Sequence, residues 1–522
     1  MNTETIVITG AGSEMQGVGR LSDGRACFVP FAIPGEKVEI EITNARDRFV
    51  NARLLNVIEA SEDRKTPLCP HYGICGGCQA QHMTYERALK MKRDRVYDAL
   101  KRLGGVEDPV VLDTIASEKT LAYRNKAEFA FKGNYAGAFQ AGSHRVIDID
   151  ACPLQTDDAN AVFCFIKENR GNLPIAYVVP RVNAKGEMLL TISLEKPADL
   201  APLANKLMKE FPFLLSVYIC RLNNRPAHAL DGSVKRVAGT GEFTEILSGL
   251  EFSVSPRSFF QVNHKQAEKL YATALEFANL KDTDNVADVY CGAGTISLAA
   301  AKKCAFVTGI EIVEDAVRDA EKNAQRNGLA DKTKFYAGDA AEVYGKIYKK
   351  QRFDCVIVDP PRKGMDEKVV NALLAAPPER VVYVSCNPAT LARDVKLLTA
   401  NGVFRFEKAV PVDMFPMTEH VETVCLLSKL NTKQHIEINL NMDELDLTDA
   451  EKKATYQEIK DYVLEHSGLK VSSLYIAQVK QKCGIIEREN YNKPKSEDAK
   501  QPQCPPDKEQ AIKESLTHFG MI

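Results

Sequence analysis

Three short segments of this chain carry residue types that can do covalent chemistry together. They are Asp359-Pro360-Pro361-Arg362, Ser385-Cys386-Asn387-Pro388 and His420-Val421-Glu422. The first two each follow a short apolar run, 355–358 and 381–384, at the expected end of a strand. In open α/β sheets, ligands bind at the carboxyl ends of strands. One carboxylate, one thiol and one later glutamate can therefore meet in a single crevice. That trio suits an electron-poor ring: a thiolate adds, a group is transferred and a base removes a proton.

The elements that must hold these residues alternate strand and helix from about residue 250. Residues 285–295 read as a strand entering a glycine-rich turn, and 306–311 as the next strand, ending in an acid. Further strands are expected over 334–339, 353–359 and 381–385, with helical runs between them. This is the pattern of a doubly wound parallel sheet.

The first turn of that sheet, Asp288-Val-Tyr-Cys-Gly-Ala-Gly-Thr295, lacks the third glycine of a dinucleotide fingerprint and the lysine of a P-loop. Its two close glycines let a ligand approach the backbone. Glu311 can accept hydrogen bonds from both hydroxyls of a ribose, and Asp339 can read an exocyclic amine. The order resembles the S-adenosylmethionine site of Rossmann-like methyltransferases. A dinucleotide site and a packed βαβ turn without ligand are the rivals.

A second constellation is Cys69-Pro-His-Tyr-Gly-Ile-Cys75-Gly-Gly-Cys78. Three cysteines within ten residues point to a metal centre, with Cys152 as the best fourth ligand. Four thiolates suit zinc or an iron–sulfur cluster equally.

The bulk numbers set the context. At 522 residues, three or four domains are expected. Hydrophobic content of 45% and charged content of 26% are those of a soluble globular protein. No apolar run approaches a membrane span, and the first residues show no secretory signal. A cytoplasmic protein is expected, so its 14 cysteines read as thiols or ligands rather than disulfides. The formal charge of −2 gives no global support for nucleic-acid binding. A local candidate is the stretch 86–103, with seven Lys/Arg against three Asp/Glu and Leu89, Val96, Leu100 and Leu103 near helical spacing. It reads as an amphipathic helix with a basic outer face.

Four segments follow. Residues 1–60 show alternation at 37–42 and turns at Gly17-Val-Gly19-Arg20, 22–24 and Pro34-Gly35, as in a small β-barrel. Residues 61–245 read as an α+β middle domain, and 246–430 as the doubly wound domain. Residues 431–522 form an appendix with helical runs at 454–466, 471–482 and 507–518 and a polar, proline-rich run over 492–509.

Taken together, roughly residues 5–430 resemble the RNA uracil-C5 methyltransferases, which make 5-methyluridine in ribosomal or transfer RNA. Gly17–Arg20, Val29-Pro30 and Ile33–Glu36 match the RNA-binding TRAM barrel, and Phe259-Phe260-Gln261-Val262-Asn263 matches a family motif. The resemblance implies a [4Fe–4S] cluster on Cys69, Cys75, Cys78 and Cys152. It implies that Gln261, Tyr290, Thr295, Glu311, Asp339 and Asp359 line an S-adenosylmethionine site. It makes Cys386 the nucleophile and Glu422 the base, with Glu419 a nearby competitor. Thr295 and Met417 depart from the residues common in the family. The cluster and TRAM barrel point to 23S ribosomal RNA, with transfer RNA as the alternative.

The implied reaction adds the Cys386 thiolate to C6 of a uracil splayed from its stack, with Phe259 as a stacking partner. C5 then takes the methyl group, Glu422 removes the C5 proton and Cys386 leaves. Asp359 can position either ligand. The site is expected to lower the thiol pKa. A monomer without membrane contact is expected. A methyltransferase without covalent catalysis and a non-catalytic RNA-binding iron–sulfur protein are the rival classes.

Overall fold

The computed structural model describes residues 3–430, 456–483, 504–519 and 521. The chain divides into two units, Met1–Lys433 and Gln434–Ile522. The first unit begins with a closed barrel of β1 (Thr3–Ala11), β2 (Gly17–Arg20), β3 (Ala26–Val29), β4 (Lys37–Ala45) and β5 (Phe49–Glu59). Alternation places Ile6, Ile8, Val29, Val38, Ile40 and Val50 inside. The expected turn at Gly17–Arg20 is instead strand β2. A Cβ on Gly17 would come within 2.8 Å of Ile8 Cγ2, and one on Gly19 within 2.6 Å of the Val7 carbonyl oxygen. These glycines are there for close strand packing, and sequence alone does not separate that use from a turn.

Helix α1 (Tyr85–Arg102) is capped by Thr84, whose hydroxyl accepts from Arg87 N–H. The expected basic outer face needs correction. Lys92 lies four residues from both Ala88 and Val96, so it shares their buried stripe and pairs with buried Asp413. Arg95 also turns inward and donates to the Glu419 carbonyl at 2.8 Å. Lys90 pairs with Asp94 and Arg102 with Asp98 on the helix itself. Tyr85 donates to Asp413 at 2.8 Å, and Lys92 also donates to the Phe415 carbonyl at 3.1 Å. Breaking one half of a buried ion pair leaves an uncompensated charge, so Lys92→Met should lower unfolding stability by about 3–5 kcal/mol. Adding Asp413→Leu should recover most of that loss in urea titrations; a single mutant as stable as wild type would contradict the pairing.

The middle sheet has the order β12-β11-β10-β9-β6-β7-β8. Its strands are β6 (Phe129–Lys132), β7 (Tyr135–Phe139), β8 (Val146–Asp148), β9 (Ile175–Val182), β10 (Met188–Leu194), β11 (Leu214–Leu222) and β12 (Gly232–Gly239). Helices α2 (Asp157–Asn169) and α3 (Ala201–Glu210) pack on it, with the Phe129 and Phe163 rings stacked at 4.0 Å.

A hairpin of β13 (Thr244–Leu247) and β14 (Leu250–Ser253), then helix α4 (His264–Ala278), lead into the last sheet. Its strands are β15 (Asn285–Val289), β16 (Phe306–Glu311), β17 (Thr333–Ala337), β18 (Cys355–Val358), β19 (Arg380–Ser385), β20 (Phe404–Val412) and β21 (Glu422–Lys429). The intervening helices are α5 (Thr295–Ala301), α6 (Glu314–Arg326), α7 (Ala340–Tyr348), α8 (Glu367–Ala375) and α9 (Pro388–Thr399). The order is β17-β16-β15-β18-β19-β21-β20, parallel through β19, with β21 antiparallel to both its neighbours. β15 lies between β16 and β18, so the order reverses there and opens the crevice expected of a doubly wound sheet.

In the second unit, helices α10 (Tyr456–Ser467), α11 (Ser473–Lys482) and α12 (Pro506–His518) meet around Ile459, Val463, Ile476, Val479, Ile512 and Leu516. The polar run expected over 492–509 lies outside the described residues as far as 503. Among the described residues, no helix is long and apolar enough to cross a membrane.

Candidate active site

Sheet topology brings the three chemical segments together. Asp359 follows β18 and Cys386 follows β19, at the same edge of the sheet. Because β21 runs antiparallel, its first residue, Glu422, lies at that edge as well; the register pairs Ser385 with Thr423. Cys386 is half-buried between β19 and the cap of α9, where Asn387 Oδ1 accepts from Ala389 N–H at 3.1 Å. Ser385 Oγ accepts from Asn387 N–H at 3.1 Å and donates to the Asn387 carbonyl at 3.0 Å. The turn that presents the thiol is therefore closed on itself.

The segment after Asp359 is anchored by Asp394, a residue sequence reasoning missed. Asp394 is fully buried and accepts from Met365 N–H at 2.8 Å and Tyr383 O–H at 2.7 Å. A helical aspartate in the sequence looks like a solvated one; only the packing of α9 against β19 shows otherwise.

Electrostatics differ from the expectation for the thiol. Burial, then Glu422 and Asp359, push Cys386 up to about 11, against the opposing charge of Arg362. At neutral pH the free site therefore holds a thiol rather than a thiolate. Burial, then Asp359, raises Glu422 to about 8, and burial with Asp288 raises Asp359 to about 7. The two carboxyls titrate as a pair. A base must be unprotonated, and with a raised pKa that form is lost as pH falls through 8 and 7. The acid limb of kcat/KM, which reports the free enzyme, should therefore lie between about 7 and 8. A limb near 4.5, the ordinary glutamate value, would contradict this.

At the glycine-rich turn, Tyr290, Gly292 and Gly294 all take positive φ, 71°, 53° and 82°. A Cβ at Gly294 would also crowd Ala320 and Phe335 at 3.2 and 3.3 Å. Glu311 accepts from Gly292 N–H at 3.1 Å and Val313 N–H at 2.9 Å, which fixes the carboxylate at the strand end. Beneath the turn, buried Asp288 accepts from Ser297 Oγ and keeps its other oxygen without a partner. Asp339 caps α7 with Oδ1, accepting from Ala341 and Glu342 N–H at 3.0 and 3.1 Å. Only Oδ2 is left for reading a ligand.

Thr295 donates to the hydroxyl of Tyr271 at 3.4 Å. Tyr271, from α4, is buried beside Gln261 and Asp359 and links the two halves of the site. It too was missed, being one apolar position among many on an amphipathic helix. Gln261 is buried, and its backbone carbonyl accepts from Asn125 Nδ2 at 3.1 Å. Phe260 is buried, whereas Phe259 is 80% exposed and available to a base.

Cys69, Cys75, Cys78 and Cys152 line one cavity of about 760 Å³. Among the described residues, however, no group of three or more His, Cys, Asp or Glu is arranged to hold a metal ion. Cys78 is pushed up to about 12 by burial, and the charges of Cys152 and Cys75 add to that. The next residue, Gln79, ties this loop to the segment before Glu422. Gln79 and Ala80 N–H both donate to the Met417 carbonyl at 3.0 and 3.1 Å, and Gln79 Oε1 accepts from Glu419 N–H at 3.3 Å. Met417 itself sits at φ 64°. Glu419 is half-buried toward Arg95 and Glu14, whereas Glu422 faces Cys386.

Residues 2–55 match the TRAM domain, and residues 249–430 match the family described as tRNA (Uracil-5-)-methyltransferase. An uncharacterized RNA methyltransferase of Halalkalibacterium halodurans is 38% identical over 432 residues, 78% of this chain and 93% of that protein. One from Caldanaerobacter subterraneus is 39% identical over 444 residues, 81% and 97% of the two chains. The structure of Pyrococcus abyssi tRNA (uracil-54, C5)-methyltransferase in complex with S-adenosyl-L-homocysteine superposes with a TM-score of 0.65 at 28% identity, covering 81% of this chain and 99% of that one. Fold and site thus define a methyltransferase with a TRAM barrel ahead of its catalytic sheet. The chain belongs to the RNA uracil-5-methyltransferase family.

Proposed function

We propose that this enzyme methylates C5 of a uridine in 23S ribosomal RNA, using S-adenosylmethionine and a covalent link between Cys386 and C6 of the base. The observation that carries this reading is the meeting of Cys386, Glu422 and Asp359 at one sheet edge, next to the glycine-rich turn. Gln261, Tyr290, Thr295, Glu311, Asp339 and Asp359 are the residues that would hold the cofactor. The cofactor supplies an electrophilic methyl on a sulfonium centre. Cys386 gives up its proton to solvent and its Sγ bonds to C6, so that the electron pair of the C5–C6 double bond moves onto C5 and the adjoining carbonyl and makes C5 the nucleophile. After C5 is methylated, Glu422 takes the C5 proton, the C5–C6 double bond re-forms and Cys386 leaves as the thiolate. Asp359 holds the base and the cofactor side in register, and exposed Phe259 stacks on the base.

The barrel, the middle segment and the catalytic sheet divide at residues 60 and 245 in this reading, with the appendix after 430. A [4Fe–4S] cluster on Cys69, Cys75, Cys78 and Cys152 is part of it. A four-iron cluster takes one thiolate at each of four separate irons. The four thiols line one cavity, where such a cluster would sit. Its role is to hold residues 69–78 against residue 152. Anaerobically purified protein should be brown, with about four irons per chain. Cys152→Ala should lose the iron and unfold at lower denaturant; stoichiometric zinc without visible absorbance would refute the cluster.

A second reading, transfer RNA as substrate, is favoured by the likeness to the Pyrococcus abyssi enzyme. Mapping 5-methyluridine in both RNAs from a deletion strain separates the two. Loss from 23S RNA with transfer RNA unchanged is expected, and the reverse would move the assignment. A cytoplasmic monomer completes the proposal.

A further inference from the structure

The mouth of the crevice carries a cation that the chemistry above does not use. We infer that Arg362 binds a phosphate of the RNA strand next to the uridine that enters the site; this deepens the proposed function and rests on it.

The root of Arg362 is tied to the nucleophile turn. Asn387 Nδ2 and Thr390 Oγ1 both donate to its carbonyl at 3.3 Å. Its side chain is exposed, and Nη2 donates to His420 Nδ1 at 3.0 Å. His420 steers the guanidinium without neutralising it. Burial, together with Arg362, Lys92, Arg95 and Arg124, holds the imidazole neutral, with a pKa down at about 4.

The other cations that act on His420 are already engaged. Lys92 is paired with Asp413 inside the protein. Arg95 is turned inward to the Glu419 carbonyl, within reach of the charges of Glu419 and Glu14. Arg124 lies over the Phe415 ring at 6.0 Å and borders the cysteine cavity. Among the described residues, Arg362 makes no ion pair with a carboxylate. Its side-chain hydrogen bonds among the described residues go to His420 alone, which leaves the other N–H donors of the planar fork that matches phosphate oxygens without a partner there.

Charge inside and outside the crevice then sorts the two parts of a nucleotide. Below, Asp359 and Glu422 are raised toward neutrality and face a thiol, which suits an uncharged ring. Above, Arg362 offers the positive charge that a phosphodiester needs. Phosphate contacts of this kind set register without reading sequence.

The test uses the full-length enzyme, a short single-stranded oligouridylate and the variants Arg362→Gln and Arg362→Lys. Affinity is measured against salt. For single strands, each lost phosphate contact lowers the slope of log K against log salt by about 0.7. Arg362→Gln should lose about that much, Arg362→Lys should keep it, and both should bind S-adenosylhomocysteine as wild type does. An unchanged slope in Arg362→Gln would overturn the inference. So would an unchanged slope with an alkaline shift in the pH profile of 5-fluorouridine trapping, which would assign Arg362 to the thiol. If wild type itself forms no adduct on 5-fluorouridine RNA, the proposed chemistry fails, whatever the slopes show.

Discussion

Cys386→Ala is expected to abolish turnover, by roughly 10⁴-fold or more, while binding S-adenosylhomocysteine as wild type does. In the proposed reaction the thiol turns C5 of uracil into a nucleophile, and Cys386 sits where β18 and β19 end and β21 begins, while Cys291, after β15 at the same sheet edge, is buried. Cys355 and Cys425 are on those strands but fully buried in the sheet. Alanine leaves the Ser385–Asn387 turn intact, since its hydrogen bonds use Ser385 Oγ and backbone atoms. Measurable single-turnover methylation by the alanine variant would remove Cys386 from the reaction.

Glu422→Gln should give a different failure. Methyl transfer should still occur, but release of the product should slow by about 10²–10⁴-fold. A methylated, covalently linked RNA–protein complex should then accumulate on denaturing gels. Glutamine is a good probe here because the folded protein already holds this carboxyl neutral below about pH 8. The fold therefore loses no charge interaction it depends on at neutral pH. The substitution should also lower the pKa of Cys386, since Glu422 is the larger of the two carboxyl contributions that raise it. If Glu419→Gln traps the complex and Glu422→Gln does not, the roles of these two glutamates are reversed.

What could be read from the sequence was whatever depends on local pattern. Apolar runs ending in Asp-Pro-Pro and Ser-Cys-Asn-Pro marked β18 and β19, and paired glycines marked the turn after β15. What could not be read depends on which strands become neighbours. Glu422 lies well past 381–385, the last strand that local pattern marks. It opens β21, an antiparallel strand inserted between β19 and β20. That insertion puts the carboxylate at the thiol, and no periodicity within residues 404–429 shows it. Lys92 shows the same limit. Its charge placed it on the outer face of α1, but Asp413, more than 300 residues away, makes the inner face habitable. The direction of the thiol pKa has a related cause: burial of Cys386 raises it first, and Glu422 and Asp359 add to that, and neither the burial nor the closeness is visible before the chain folds.

The central claim is a covalent enzyme–RNA intermediate on one named sulfur. RNA carrying 5-fluorouridine at the target position cannot release a C5 proton, so the adduct should persist once the methyl has been transferred. Incubating it with enzyme and S-adenosylmethionine, then digesting and sequencing the cross-linked peptide by mass spectrometry, reads the bond directly. The account predicts a single adduct on Cys386, carrying one added methyl group. An adduct on any other cysteine, or complete turnover without an adduct, would contradict it.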